Sequence, residues 1–335
     1  MLWIYILKQI IQRIFLLIII SFVAFMLLGS MGDPLDVLVS MNPQITDREI
    51  DEYRRQQGLD RPMYIRYFYW ARDAVQGDFG ISISYRRPAA ELMFGRIPNT
   101  IYMQAIILFF IITVSIPLGI FSAIHQYSKT DYFLTFVAFA GSAMPTFWFA
   151  LLLILAFGVL PPEGYRLPFT GMYSDNLTVA GRTVAYHEAP LYARFLNRLQ
   201  HLILPVLSAA LISLTGLIRQ TRSAMLEVVR QDYVRTARAK GMPERKIIYK
   251  HALRNAMIPI ATILIQTVPI LFAGSLVIEQ LFGWPGVGKL IFDAVMSNDY
   301  NLAMASIIFM SSLTVLFTLI ADISYAFLDP RITYR

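Results

Sequence analysis

Six apolar stretches dominate this sequence, and each is long enough to cross the hydrocarbon core of a membrane. A helix rises about 1.5 Å per residue, so about 20 apolar residues span roughly 30 Å of hydrocarbon. The stretch from Thr100 to Ile124 contains no charged residue, whereas a helix at the surface of a soluble protein needs a polar face. The predicted spans are residues 10–28, 100–124, 132–160, 202–218, 257–278 and 302–327. The sequence therefore predicts an all-α polytopic membrane protein with six transmembrane helices.

The composition excludes several other classes of protein. Of the 335 residues, 56% are hydrophobic and only 15% are charged, whereas about a quarter of a soluble domain is charged. This is too little polar surface for a soluble or a disordered chain. The absence of cysteine excludes disulfides and thiolate metal sites, and no two of the four histidines have a metal-ligand spacing.

The distribution of basic residues favours a cytosolic N-terminus. In that orientation 15 basic residues face the cytosol and 14 face outward, but nine of the outward ones lie in the long segment 30–98. The positive-inside rule applies to loops shorter than about 60 residues, and without that segment the counts are 15 and 5. The segments 30–98, 161–201 and 279–301 are thus predicted to be external. The first stretch also fits a signal peptide with a weak cleavage site at Ser30-Met31-Gly32, and we take the retained helix as the prediction.

Two short helices are expected in the external segment. Thr46 and Glu49 form a capping box for a helix from about Asp47 to Gln57, which Gly58 would end. A second helix is expected from Pro62 to near Gly77. Its aromatic face consists of Tyr64, Tyr67, Phe68, Trp70 and Ala71. This face is predicted to pack against the membrane interface or other helices, and the alternative is a platform for an external partner.

A glycine-rich stretch after the fifth span resembles a phosphate-binding loop only in part. Residues 283–289 match the first seven positions of a P-loop, but Leu290 stands where Ser or Thr must hold magnesium. No strand precedes the stretch, and the topology places it outside. We therefore predict a tight re-entrant turn, with Trp284 at the headgroup level, Gly286 at the tightest point and Lys289 as a replaceable charge. The residues of this external turn are Gly283, Trp284, Pro285, Gly286 and Gly288.

The spans contain little that could couple transport to an ion gradient. Asp322 is the only acidic residue inside a predicted span and away from its ends, and we expect it to pair with a basic group at the cytosolic interface. An ion-coupled carrier would be expected to hold acids or bases near the midplane. The energy for transport is therefore predicted to come from elsewhere. Kinks are expected in spans two to five, at Pro117, Pro145, Pro205, Pro259 and Pro269.

The most basic loop lies between the fourth and fifth spans. Residues 219–254 contain ten basic and three acidic side chains. A helical segment is expected from Ser223 to Lys240, and Pro243 can open a second helix after a hinge at Gly241. The loop is either a folded cytosolic projection or an ordinary positive-inside loop, and charge alone does not separate the two. Nucleic acid is disfavoured as a partner, because a short tethered hairpin offers little surface for reading a groove.

The sequence of this loop resembles a known family. The segment 232–241, DYVRTARAKG, followed by 251–256, HALRNA, resembles the signature of ABC-importer permeases of the oligopeptide/dipeptide/nickel family. Four further segments, covering nearly the whole chain in the right order, are similar to the same family: Gly58–Pro62, Gly77–Gly80, Phe282–Gly288 and Leu328–Arg331.

The general importer pattern is only partly kept. Ala237, Gly241 and Leu253 match it. Four positions depart from it, namely Arg235, Thr236, His251 and Arg254. The resemblance implies that these departures are usual in the peptide branch, and they favour that branch over sugar or amino-acid importers.

The resemblance implies a type I ABC importer permease fold with a defined organisation. Residues 1–29 would be the first transmembrane helix, 30–98 an external helical segment and 99–327 the permease core, followed by a cytosolic tail, 328–335. A cytosolic coupling loop, 219–256, would contact an ATPase. The implied coupling residues are Arg235, Thr236, Ala237, Arg238, Ala239, Lys240, Gly241, Met242 and Pro243.

The resemblance also implies partners and a location. The chain would be a multi-pass protein of a bacterial or archaeal cytoplasmic membrane, with both termini cytosolic and lipid around it. Its partners would be a second homologous permease subunit, two cytosolic ATPase subunits that bind ATP and magnesium, and an external substrate-binding protein. The chain itself would have no catalytic residue, metal or cofactor. Peptide is the expected substrate. The alternatives are nickel chelates, opines or cell-wall fragments, or a partner-gated channel or scaffold that works without hydrolysis.

Overall fold

The computed structural model describes residues 2–30, 45–56, 60–179 and 182–328, and the all-α prediction is confirmed. The helices are α1 (Leu2–Ser30), α2 (Asp47–Gln56), α3 (Met63–Val75), α4 (Ala89–Ile124), α5 (Lys129–Ala143), α6 (Thr146–Leu153), α7 (Leu191–Val229), α8 (Asp232–Ala239), α9 (Glu244–Lys246), α10 (Leu253–Leu281), α11 (Val287–Met296) and α12 (Tyr300–Leu328). Two π-helical turns, Ile154–Val159 and Ile247–Ala252, follow α6 and α9, and a 3-10 turn covers Tyr186–Glu188. One hairpin consists of β1 (Asn176–Val179) and β2 (Arg182–Ala185).

The helices account for the predicted spans. Five of those described are long and apolar enough to cross a membrane, and the bent pair of α5 with α6 and its π-helical turn would make a sixth span. The prediction of one helix over 132–160 is wrong, because this pair is bent by 110°. Met144 has an extended backbone (ψ 129°), and Pro145 has no N–H with which to continue the helical hydrogen bonds. The bend therefore follows from the Met144-Pro145 sequence.

The cytosolic loop also differs from its prediction. The fourth span continues past Arg219 as expected, but its helix α7 ends at Val229 and α8 begins at Asp232. The expectation of one helical segment from Ser223 to Lys240 is therefore wrong. Gln231 has an extended backbone (ψ 151°) and precedes α8 as its N-cap residue.

The chain forms two compact units, and the first comprises residues 1–101 and 284–316. In it, α3 packs against α1 through Tyr67, whose hydroxyl lies 2.7 Å from the Ser21 hydroxyl. The ring centroid of Trp70 lies 5.9 Å from that of Phe25. The predicted aromatic face of α3 is thus divided: Tyr67 and Trp70 contact α1, whereas Tyr64 and Phe68 are exposed.

Polar contacts in the same unit fix the start of α12. The buried carboxylate of Asp299 accepts hydrogen bonds from the Ser82 hydroxyl at 2.5 Å and the Ser84 amide at 2.9 Å. Gly80 has φ +80°, and a Cβ there would lie 2.8 Å from Asn301 Nδ2. The left-handed backbone at Gly80 therefore favours glycine, and a Cβ at this position would require the Asn301 side chain to shift.

The capping box at the start of α2 is confirmed. The Thr46 amide donates to Glu49 Oε2 at 2.8 Å, and the Glu49 amide donates to Thr46 Oγ1 at 3.4 Å. The bonds that the Thr46 amide and hydroxyl donate to the Glu49 carboxylate hold the pKa of Glu49 below its usual range. The predicted ending at Gln57 and Gly58 lies outside the described residues, as does the tail from 329 to 335.

The second unit, residues 102–283 and 317–335, is built around α7. Helices α5, α6 and α10 pack against α7, and a Cβ on Gly141 of α5 would lie 2.8 Å from Thr215 Cγ2. The β1–β2 hairpin was not predicted. Tyr173 and Tyr186 stack beside it with centroids 4.1 Å apart, and the Arg198 guanidinium lies 5.7 Å from the Tyr186 ring.

Candidate functional site

The predicted hinge at Gly241 forms a tight helix end. Gly241 has φ +73° and no atom within 4 Å of a Cβ placed on it. Its amide donates to the Arg238 carbonyl at 2.9 Å, and the Met242 amide donates to the Ala237 carbonyl at 3.3 Å. This pair of bonds is a Schellman motif, which places the residue after the helix in the left-handed region. Pro243 then precedes α9 as its N-cap residue, so α8 and α9 meet at a defined turn.

Apolar contacts anchor one side of this turn. Val234, Ala237 and Ile247 form a buried cluster, and Met242 packs against it. The methionine follows the left-handed glycine, where a Schellman motif commonly has a hydrophobic contact back to the helix. Two predicted coupling residues, Ala237 and Met242, therefore hold the projection together from within.

An ion pair closes the turn on its other side. Arg238 Nη2 donates to Glu244 Oε1 at 2.6 Å, and Arg238 Nε donates to Glu244 Oε2 at 3.1 Å. Two parallel bonds between a guanidinium and a carboxylate fix their relative orientation as well as their distance. This pair links α8 to α9 across Gly241, and Glu244 was not among the residues predicted for the site.

The remaining predicted coupling residues lie on the exposed side. Arg235, Thr236, Ala239 and Lys240 are exposed. Tyr233, also missed from sequence, is 40% exposed, and its hydroxyl accepts a hydrogen bond from Asn255 Nδ2 at 2.6 Å. The segment 232–243 thus has one anchored face and one exposed face. We call this exposed face, residues 235, 236, 239 and 240, the coupling face.

Residues 283–288 form a turn between α10 and α11, but its details differ from the prediction. The left-handed backbone is at Gly283, with φ +58°, whereas Gly286 has φ −102° and ψ −173°, an extended conformation open to any residue. Gly286 is therefore not the strained position. Gly288 lies buried in the first turn of α11.

Trp284 is not placed as expected at the headgroup level, because its side chain is fully buried. Its indole Nε1 donates to the Asn99 carbonyl at 3.0 Å. Asn99 Nδ2 in turn donates to the Pro285 carbonyl at 2.8 Å. The tryptophan is a packing residue inside the protein, since a membrane-interface anchor would leave part of its ring exposed.

The internal bonds of this stretch argue against a phosphate cradle. A P-loop offers its backbone amides to the phosphates. Here the Gly286 amide donates to the Trp284 carbonyl at 2.8 Å, and the Val287 amide donates to Thr100 Oγ1 at 2.9 Å. Lys289 Nζ donates to Asp293 Oδ2 at 2.8 Å. Within the ranges that the structure describes, no three His, Asp or Glu side chains come together as a metal site.

Comparison with known proteins covers the whole chain. The model of the family "Binding-protein-dependent transport system inner membrane component" matches residues 115–334, and a model of the N-terminal part of such membrane components matches residues 1–116. The oligopeptide transport system permease protein AppB of Bacillus subtilis (strain 168) is 39% identical over 332 residues, 98% of this chain and 99% of the relative. The dipeptide transport system permease protein DppB of Escherichia coli (strain K12) is 32% identical over 316 residues, 91% of each chain.

Proposed function

The chain belongs to the family of inner membrane components of binding-protein-dependent transport systems, and from this premise we propose that it forms half of the translocation pathway of an ATP-driven peptide importer. The other half would be a second, homologous permease subunit. Two cytosolic ATPase subunits would supply the energy, and an external binding protein would deliver the substrate. ATP and magnesium would be bound by the ATPase subunits.

The observation that carries the proposal is the projection formed by α8, Gly241 and α9. Its apolar side packs against Ile247, and the residues of its coupling face are exposed. A surface that binds a partner has to be exposed in the same way. Only two residues, Arg230 and Gln231, separate α8 from α7. A displacement of α8 is therefore passed to α7, against which α5, α6 and α10 pack.

The proposed mechanism is a change between two states of the helix bundle. Closure of the ATPase subunits on ATP would push α8 and move α7 from an inward-open to an outward-open arrangement. This drives transport only if ATP binds the two states with different affinity, because a ligand shifts an equilibrium by its differential affinity alone. Residues of this chain act as the lever and contribute nothing to hydrolysis.

Peptide is the substrate that the relatives favour, since they are named as oligopeptide and dipeptide permeases. Nickel chelates, opines and cell-wall fragments are the alternatives. The external binding protein selects first, so mass spectrometry of the ligands that it carries after purification tests the substrate. Peptides in that fraction would support the proposal, and a metal chelate or a cell-wall fragment would contradict it.

The proposed topology places the chain in a bacterial or archaeal cytoplasmic membrane with both termini in the cytosol. The segment 30–98 would be external, the core would be 99–327, and the coupling loop 219–256 and the tail 328–335 would be cytosolic. The β1–β2 hairpin and the Gly283–Gly288 turn would then face the binding protein, on the side opposite to α8.

Single introduced cysteines test both orientation and coupling, because the native chain has none. We expect Ala239→Cys, exposed on α8, to escape an impermeant maleimide in intact cells and to crosslink to an ATPase subunit in the assembled complex. The matched control Thr183→Cys, exposed on β2, should be labelled from outside and form no such crosslink. The opposite pattern would contradict the orientation and the coupling face together.

A further inference from the structure

A largely buried ion pair joins α5 to α7 near the ends that face the cytosol in the proposed topology. Arg222 Nε donates to Asp131 Oδ1 at 2.8 Å, and Arg222 Nη2 donates to Asp131 Oδ2 at 2.9 Å. The Asp131 side chain is 3% exposed and that of Arg222 is 27% exposed. The geometry is the bidentate one that fixes orientation as well as distance.

Other groups complete the coordination of the Asp131 carboxylate. The Ser122 hydroxyl, on α4, donates to Oδ1, and the Tyr127 amide donates to Oδ2 at 3.0 Å. Each carboxylate oxygen therefore has two partners. Tyr127 has φ +65°, a left-handed backbone that is uncommon outside glycine. One carboxylate thus ties together the end of α4, the α4–α5 connection, α5 and α7.

Close packing reinforces this point of contact. A Cβ on Gly119 of α4 would lie 2.5 Å from Thr221 Cβ and 2.9 Å from the Ile218 carbonyl oxygen of α7. The backbones of α4 and α7 therefore approach more closely than any residue larger than glycine at position 119 would allow. Thr221 is the neighbour of Arg222, so the ion pair and the close packing act at the same place on α7.

Stability alone does not account for such a pair. Removing two charges from water costs several kcal/mol per ion, so a buried ion pair is weak evidence for stabilisation, and a role in fixing the relative position of the helices is the hypothesis to test. Arg222 lies seven residues before the end of α7 at Val229, about 10 Å along the helix. A displacement of α8 that is transmitted along α7 passes through this part of the helix.

We propose that Asp131 and Arg222 are positioning residues that make α5, α7 and the end of α4 move as one body when α8 is pushed. This inference rests on the proposed function, because it assigns a role in transmitting the push. Without the pair, the end of α7 would bend independently of α4 and α5, and ATP hydrolysis would continue with little transport. The ion pair is therefore needed for coupling and not for binding of the ATPase subunits.

The test is Asp131→Asn in the complete reconstituted complex, since the amide keeps the shape and removes the charge. We expect the variant to recruit the ATPase subunits normally and to hydrolyse ATP at no less than half of the wild-type rate. Uptake should fall about tenfold, so that the ATP consumed per peptide rises by a similar factor. The control is Glu91→Gln, which breaks the exposed Arg87–Glu91 pair and should leave uptake unchanged.

A distance measurement tests the single-body movement directly. Spin labels on Lys129→Cys and Gln220→Cys, both exposed on α5 and α7, should keep one separation in the nucleotide-free and ATP-bound complexes. In the Asp131→Asn background the separation should change with nucleotide.

Three results would overturn the inference: a nucleotide-dependent separation with the native ion pair present, unchanged uptake by Asp131→Asn, or a parallel loss of recruitment, hydrolysis and uptake. The last of these would mean that the pair is only structural. Absence of ATP-driven uptake by the complex with native Asp131 would instead refute the proposed function, so the two failures are distinguishable.

Discussion

Replacement of Gly241 by valine is expected to abolish transport and to leave the chain folded and inserted in the membrane. Gly241 has φ +73° and ends α8 in a Schellman motif. A β-branched residue in the left-handed region costs roughly 1–2 kcal/mol, enough to change the direction of the turn but too little to unfold the protein. Because the turn sets the angle between α8 and α9, the coupling face would no longer meet its partner. Uptake of a labelled peptide at matched expression measures the effect.

The chain offers a matched control at Gly77, which ends α3 with the same motif. Gly77 has φ +85° and no atom within 4 Å of a Cβ. The Gly77 amide donates to the Ala74 carbonyl, and the Asp78 amide donates to the Asp73 carbonyl. Gly77→Val therefore introduces the same strain on the side proposed to be external, and its uptake should stay near that of the wild type. Gly241→Asn should also transport, since Asn tolerates this backbone. Normal uptake by Gly241→Val, or equal losses at the two glycines, would refute the role of Gly241.

The largest effect on stability is expected from Trp284→Ala. The side chain is fully buried and its indole donates to the Asn99 carbonyl. Truncation of a buried tryptophan costs about 3–5 kcal/mol, a large fraction of the stability of a typical domain. We expect little folded chain after extraction in detergent, and a lower unfolding temperature for what remains. Trp284→Phe keeps most of the ring and loses the hydrogen bond, at a cost of about 1 kcal/mol.

Lys289→Ala is the contrasting substitution in the same stretch. Its partly exposed ion pair with Asp293 is worth at most about 1 kcal/mol, so folding and uptake should stay near normal. In a phosphate-binding loop the lysine would instead be essential. Nucleotide crosslinking to the isolated chain that is lost in Lys289→Ala would show that the stretch binds phosphate and would contradict its assignment as a structural turn. Normal stability of Trp284→Ala would contradict the role of Trp284 in packing.

Sequence patterns located the spans because hydrophobicity along the chain is a local property. They did not show which proline interrupts a helix. Pro205 lies inside α7, and Pro259 and Pro269 lie inside α10, whereas Pro145 follows a bend of 110°. Neighbouring groups can satisfy the carbonyls that a proline leaves free, so the outcome depends on tertiary contacts that no single segment specifies.

The candidate site, like the spans, could be predicted from sequence only in part. A glycine followed two residues later by proline predicts a hinge between helices, and Gly241 confirms this reading. The two sides of the hinge were not separable from sequence, since Ala237 is buried in a cluster that includes Ile247 of the next segment. The buried indole of Trp284 likewise has its hydrogen-bond acceptor at Asn99, 185 positions earlier in the chain.

Peptide accumulation in proteoliposomes shows whether this chain is part of an ATP-driven importer. The vesicles would contain this chain, a second permease subunit and the two ATPase subunits, with the binding protein and a labelled oligopeptide on the external side. We expect the labelled peptide to accumulate above its external concentration with hydrolysable ATP, and not to accumulate when this chain is omitted. If peptide instead entered equally well with a non-hydrolysable ATP analogue and its internal concentration levelled at the external one, ATP-driven import would be contradicted. That result would identify a partner-gated channel.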